Sequence, residues 1–137
     1  MISFLDTFAL LAWVDTQEPQ HTRVAKWFEN SVDSIVTTEW ILLEFANSMS
    51  SPKRKAAAIR LLDIVRSDER FQILGYEQRL SDAGDKLYRA RPDKAWSLTD
   101  CISFVVMTER KITEALTADH HFRQAGFIPV FLSDTQP

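Results

Sequence analysis

Four carboxylates carry the chemistry this chain could do. Asp6 interrupts the opening stretch MISFLDTFALLAWVD between apolar Ile2–Leu5 and apolar Phe8–Val14. Asp119 stands in ALTADHHF, Asp100 in WSLTDCISFVVM, and Glu44 in TTEWILLEFANS, flanked by Leu42, Leu43, Phe45 and Ala46. Gathered in one cleft, four such groups would repel one another unless a cation sat among them. Hard oxygen ligands of this kind suit Mg²⁺ or Mn²⁺ rather than zinc. An ion held there lowers the pKa of a bound water and neutralises charge building on a phosphodiester. No serine, cysteine or lysine nucleophile is then required.

Taken singly, each acid has a structural explanation to set against this. Asp6 and Asp119 are placed to cap the helices that follow them, a role aspartate fills readily. Ser97 and Asp100 fit the S-x-x-[DE] capping box, in which the acid returns a hydrogen bond to the cap. Glu44 has the weakest explanation of this kind: amid so many apolar neighbours its carboxylate needs a partner or a wet cleft.

The elements that must position these acids follow from hydrophobic pattern. Ile2–Leu5 and Ser34–Thr37 read as short buried strands, as do Phe71–Leu74, Glu114–Thr117 and Ile128–Leu132. Helices are expected over Phe8–Val14, from Pro19 through Phe28, from Thr38 to about Met49, from Pro52, over Tyr76–Ala90 (weakened by Gly84), over Ser97–Arg110 and near Asp119–Ala125. In the helix from Pro52, Ile59, Leu62 and Val65 are expected to form one apolar face, as core or dimer surface. In the helix over Ser97–Arg110, Ile102, Val105 and Val106 are expected to point inward. Strands alternating with helices imply an α/β fold with a mainly parallel sheet covered on both faces. Ligands bind such sheets beyond the carboxyl ends of the strands, where Asp6 and Asp119 would emerge on the same edge.

Composition sets the remaining bounds. The 137 residues, 45% hydrophobic and 26% charged, are expected to form a single domain over 1–137 with a real core. Asp6 and Asp15 break the N-terminal apolar stretch before it reaches membrane-spanning length. With neither a basic leader nor a cleavage site, a cytoplasmic location and no membrane association are expected. Cys101 is the only cysteine, which excludes an internal disulfide and a cysteine zinc cage, and a small buried side chain is its expected role. The net charge of −3 means that contact with phosphates must be local, metal-mediated or made through a partner. Two basic clusters offer local contact. Lys53, Arg54, Lys55 and Arg60 lie near a helix start, and Arg89, Arg91 and Lys94 lie just before Asp100. The second leads into the acid cluster and is the better RNA-contact candidate, because arginine there can grip a phosphate bidentately. His120 and His121, about 100° apart on a helix, are expected not to face one metal together. Solvent-facing or indirect roles are expected for them, and His21 stands alone on a polar helix start.

The segments FLDT, TTEWILLEFAN, WSLTDCISF and LTADHHFRQAGF, in this order from Phe4 to Phe127, resemble the PIN-domain ribonucleases, and within them the toxins of VapBC-type toxin–antitoxin pairs. The resemblance implies a PIN-like three-layer α/β/α sandwich. It also implies acidic, metal-binding and catalytic positions at Asp6, Glu44, Asp100 and Asp119, with Thr7 and Thr117 as hydroxyls beside the first and last acids. The activity implied is Mg²⁺- or Mn²⁺-dependent endoribonucleolytic cleavage leaving 5′-phosphate and 3′-hydroxyl ends. The partners implied are RNA, a cognate antitoxin and a second copy of the chain. Other readings fit less well. A phosphatase of the haloacid-dehalogenase kind needs a second acid where Phe8 stands. A receiver-like module needs paired acids after the first strand and a lysine after its last strand, and the chain has neither. A PIN fold that binds RNA or antitoxin without cutting remains the alternative.

Overall fold

The computed structural model of the protein describes residues 1–132. Five strands form one sheet in the order β3-β2-β1-β4-β5, every neighbouring pair parallel: β1 (Ile2–Leu5), β2 (Ser34–Thr38), β3 (Phe71–Leu74), β4 (Glu114–Leu116) and β5 (Ile128–Pro129). Among the described residues seven helices connect them: α1 (Thr7–Val14), α2 (His21–Asn30), α3 (Glu39–Ser48), α4 (Pro52–Ser67), α5 (Gln78–Ala90), α6 (Leu98–Glu109) and α7 (His120–Gln124). Right-handed crossovers put α1–α4 on the face used while the chain steps from β1 out to β3. The return from β3 to β4 and β5 puts α5–α7 on the other. Contacts follow that division: α1 packs with α2, α3 and α4, while α6 packs with α5 and α7. This is the three-layer α/β/α arrangement expected from the sequence.

The central strands are apolar runs because they are buried on both faces. Phe4 and Leu5 of β1, Ile35 of β2 and Leu116 of β4 are wholly inaccessible to solvent. On one side the Trp13 ring stacks on Phe28 at 4.0 Å. On the other Phe104 of α6 meets Phe122 of α7 edge-on at 5.0 Å, and Trp96 packs edge-on against Phe104 at 5.1 Å. That aromatic row ties the start of α6 to α7. Burying such rings contributes roughly 2–3 kcal/mol each, so the two helix starts that matter below are anchored from beneath.

Several elements differ from the sequence expectation. Pro19 lies in the turn before α2 rather than in its first turn. Glu18 O accepts the His21 N–H there, and α2 runs on to Asn30. The buried stripe of α4 is Ala58, Leu61 and Val65, while Ile59 is 52% exposed. Two successive steps of three residues drift off one face, whereas i, i+3, i+7 stays on it. In α6, Ile102 and Val106 point inward as expected, while Val105 is only half-buried. Gly84 does more than weaken α5. A Cβ there would come within 3.2 Å of the Ile102 backbone N and Cα, so its absence is what lets α5 lie directly against α6. Gly126, at φ 96°, takes the left-handed turn from α7 into β5. No helix among the described residues is long and apolar enough to cross a membrane.

Candidate metal centre

The strand order reverses at β1 and β4. From β1 the chain leaves toward one face and from β4 toward the other, which opens a crevice at their carboxyl ends. Leu5 pairs in register with Leu116, so the next residues, Asp6 and Thr117, face each other across it. The Thr117 hydroxyl donates to Asp6 Oδ2 at 2.7 Å, and its oxygen accepts the Asp119 N–H at 3.1 Å. One buried threonine thereby fixes the first acid and the last relative to each other. The Leu5 carbonyl accepts from Thr37 Oγ1 at 3.0 Å, which pins the strand end from the other neighbour.

Asp6 stands at the N-cap position of α1, yet its side chain makes no capping hydrogen bond. The structural explanation therefore fails for this acid: its carboxylate is turned into the crevice. Burial lifts its pKa from 3.8 to about 7, against the lowering effect of the Thr117 hydroxyl and the Thr7 backbone N–H. The Asp100 and Asp119 charges add to the rise. Those charges act on it because the α6 and α7 starts bring both acids to the same crevice.

Asp100 and Asp119 are caps as well as crevice residues. Asp100 Oδ2 accepts the Ser97 N–H at 3.1 Å and the Asp100 N–H donates to Ser97 Oγ at 2.9 Å, a complete capping box. Asp119 Oδ1 accepts the His121 N–H at 2.9 Å. Burial also raises the Asp100 carboxyl above the usual range. The Ser97 N–H opposes that rise, Asp119 adds to it, and His121 opposes it again.

Glu44 reaches the group through a neighbour. Thr38 caps α3, accepting the Ile41 N–H at 3.2 Å, so the helix turns Ile41, Leu42 and Phe45 into the core. At 100° per residue Glu44 then faces outward. It is exposed, not embedded among its apolar sequence neighbours, and its Oε1 accepts a hydrogen bond from the Thr7 hydroxyl. Thr7, next to Asp6, is the link between the two.

The histidines depart from expectation. His21 is half-buried with Nδ1 2.8 Å from the Ala12 carbonyl, which ties α2 to α1. His120 and His121 do not diverge: their ring centroids are 4.4 Å apart. One donor atom from each of Asp119, His120 and His121 lies within 4.8 Å of the others. The 100° separation fails here because His121 is the second residue of α7, whose N–H the Asp119 cap accepts, so its side chain starts beside that carboxylate. Its Nδ1 lies 3.1 Å from Asp119 Oδ1 and 3.6 Å from Asp100 Oδ2. Sequence reasoning did not place His121 beside these two acids; the signal for that proximity is its position two residues after a capping acid.

The basic residues are more engaged than their sequence suggests. Arg89 is paired with Asp85 at 2.7 Å; Arg91 is paired with Asp93 through two bonds of 3.0 and 2.9 Å and lies 5.1 Å over the Trp96 ring. With Lys94, Tyr88 and Trp96 they line a concavity of about 490 Å³ on the approach to α6. Lys53, Arg54, Lys55 and Arg60 are exposed along α4, with Arg54 3.5 Å from the Ser48 carbonyl.

The donor set fits a divalent ion. It is built of carboxylate oxygens, one of which (Asp6) is costly to ionise because it is buried and, less so, because Asp100 and Asp119 are near, and it includes a solvent-shielded imidazole nitrogen without a directed partner. The PIN domain family model matches residues 3–128. The chain belongs to the PIN domain family. Solved structures with the same fold include Mycobacterium tuberculosis VapC20, a Sarcin-Ricin loop cleaving toxin, with a TM-score of 0.85 and 21% identity over 95% of this chain and 98% of that one. FitAcB from Neisseria gonorrhoeae has a TM-score of 0.68 and 16% identity over 94% of this chain and 96% of that one. VapBC2 from Rickettsia felis, bound to a promoter DNA fragment, has a TM-score of 0.67 and 17% identity over 94% and 96%. No curated protein gives a sequence match to the chain.

Proposed function

We propose that the protein is a metal-dependent endoribonuclease, the toxin of a toxin–antitoxin pair, acting in the cytoplasm. The observation that carries the reading is Asp6: a buried carboxyl with no capping role, pushed to about 7 in a crevice it shares with Asp100 and Asp119. Asp6, Glu44, Asp100 and Asp119 would hold one or two Mg²⁺ or Mn²⁺ ions. Bound there, the metal supplies an activated water and neutralises the developing charge on the scissile phosphate. The chain's own part is positional. Thr117 orients Asp6 and the Asp119 loop together, Thr7 orients Glu44, and the capping box holds Asp100 at the α6 start. In-line cleavage would leave 5′-phosphate and 3′-hydroxyl ends.

The toxin reading is supported by family membership and by likeness to a toxin that cleaves the Sarcin-Ricin loop and to structures named for VapBC and Fit proteins. A cognate antitoxin and a homodimer belong to the same proposal. Purified protein should cleave RNA with Mg²⁺ or Mn²⁺, yield 5′-phosphate ends, and stop when the metal is chelated. Undiminished cleavage in excess EDTA would remove the mechanism, and RNA bound but never cut would leave a binding module.

Arg89, Arg91 and Lys94 are proposed to grip the RNA backbone. Arg89 and Arg91 must then exchange their Asp85 and Asp93 partners for phosphate, so Lys94 should carry the clearest effect. Lys94→Ala should weaken RNA binding and make it less sensitive to salt, by about one unit in the logarithmic slope. An identical slope across 50–200 mM salt, a range of the order used for such titrations, would return the cluster to a solvated face.

A further inference from the structure

Nδ1 of His121 is shielded from solvent and has no directed hydrogen bond, although two carboxylate oxygens lie close to it. The 3.1 Å approach to Asp119 Oδ1 is out of line for one, and that oxygen already accepts the His121 backbone N–H. A buried nitrogen left in this state destabilises the fold unless something else engages it. Adjacent donors on a six-coordinate ion with bonds slightly over 2 Å are about 3 Å apart. The 3.1 and 3.6 Å separations from Nδ1 to Asp119 Oδ1 and Asp100 Oδ2 are close to that spacing. Asp100 is held by the α6 capping box, Asp119 and His121 share the α7 cap, and the Phe104–Phe122 contact holds the two helices against each other.

We propose that His121 is a ligand of the ion held by Asp100 and Asp119, making this a mixed nitrogen–oxygen site that selects Mn²⁺ over Mg²⁺. The proposal rests on the metal-centre reading above and adds the ligand and the selectivity. Imidazole binds the later transition ions best and Mn²⁺ less well, but Mg²⁺ least of these, because Mg²⁺ dehydrates reluctantly and keeps oxygen ligands. A histidine in the set therefore raises affinity for Mn²⁺ with little gain for Mg²⁺. His120 is not included: it is 64% exposed and its Nδ1 approaches only Asp119, at 3.7 Å. His121→Ala keeps the backbone N–H that Asp119 accepts, so it removes the ring without removing the cap.

The test uses the RNA-free protein with one equivalent of Mn²⁺, read by pulsed electron paramagnetic resonance, and calorimetric titration with each metal. Wild type and His120→Ala should show coupling to an imidazole nitrogen, and His121→Ala should not. Mn²⁺ affinity should fall on the order of tenfold in His121→Ala, with Mg²⁺ affinity changed far less. If His121→Ala does not fold, His121→Gln takes its place in the same comparison. Wild type that binds Mn²⁺ without nitrogen coupling, coupling that survives in His121→Ala, or coupling lost only in His120→Ala overturns the ligand assignment and leaves the carboxylate site standing. Wild type that binds no Mn²⁺ overturns both.

Discussion

Asp6→Asn should give a folded protein that cleaves RNA about a thousandfold more slowly or worse, because the lost charge removes several kcal/mol of metal-borne transition-state stabilisation. The same substitution should change how stability depends on pH. In the metal-free protein the folded state holds the Asp6 proton up to about pH 7, whereas the ordinary value is 3.8. The folded state thus binds more protons than the unfolded chain between these values, and stability falls as pH rises through that window. The contribution is fully present below the lower value and lost above the upper one. Between pH 5 and 8 wild type should lose about 2–3 kcal/mol through this group, at about 1.4 kcal/mol per unit. Asparagine has no proton to lose, so the variant's profile should be flatter by that amount. Denaturant unfolding in EDTA at the two pH values measures it. Parallel profiles would mean that Asp6 is not held in the low-dielectric, acid-crowded setting described, and an active variant would mean that it is not a ligand.

Asp100→Asn, compared with Ser97→Ala, should separate two roles that one side chain combines. Asparagine still offers an oxygen to the Ser97 N–H, so the capping box survives and stability should move by about 1 kcal/mol or less. As a metal partner it is poor, and cleavage should be abolished. Ser97→Ala does the reverse. It deletes the hydroxyl that accepts the Asp100 N–H at 2.9 Å, at a cost of about 1 kcal/mol, while leaving the carboxylate in place. Its activity should stay within a few-fold of wild type. Melting curves and RNA cleavage on both variants give the four values needed. An active, normally folded Asp100→Asn protein would sink its catalytic assignment.

Much of this was readable from residue order because the sheet is built of short apolar runs ended by polar residues. An apolar strand followed at once by Asp6, and another followed by Thr117 and Asp119, place both acids on one sheet edge from residue order alone. The Ser97–Asp100 box was equally local, since both its hydrogen bonds lie within one turn. What the sequence hid was rotation and contact at a distance. Glu44, expected to need a partner or a wet cleft amid its apolar neighbours, has both, because a helix turning adjacent residues 100° apart brings it to the surface beside Thr7. Ile59 reads as inward from its i, i+3, i+6 spacing with Leu62 and Val65, a spacing that drifts off one helix face. That Thr7 meets Glu44, and that Gly84 admits Ile102, depend on how helices from distant segments approach. The approach of His121 to Asp119 and Asp100 follows from the cap two residues before it, not from its angle to His120.

Carboxylates from the end of β1, the start of α6 and the β4–α7 turn are proposed to converge on a divalent ion. Crystals grown with Mn²⁺, examined by anomalous scattering at the manganese edge, test it most directly. A peak should lie among Asp6, Asp100 and Asp119, about 2.2 Å from their oxygens, and should vanish in Asp6→Asn crystals. A Mn²⁺-dependent enzyme whose crystals show the ion only elsewhere, with these carboxylates unliganded, would contradict it.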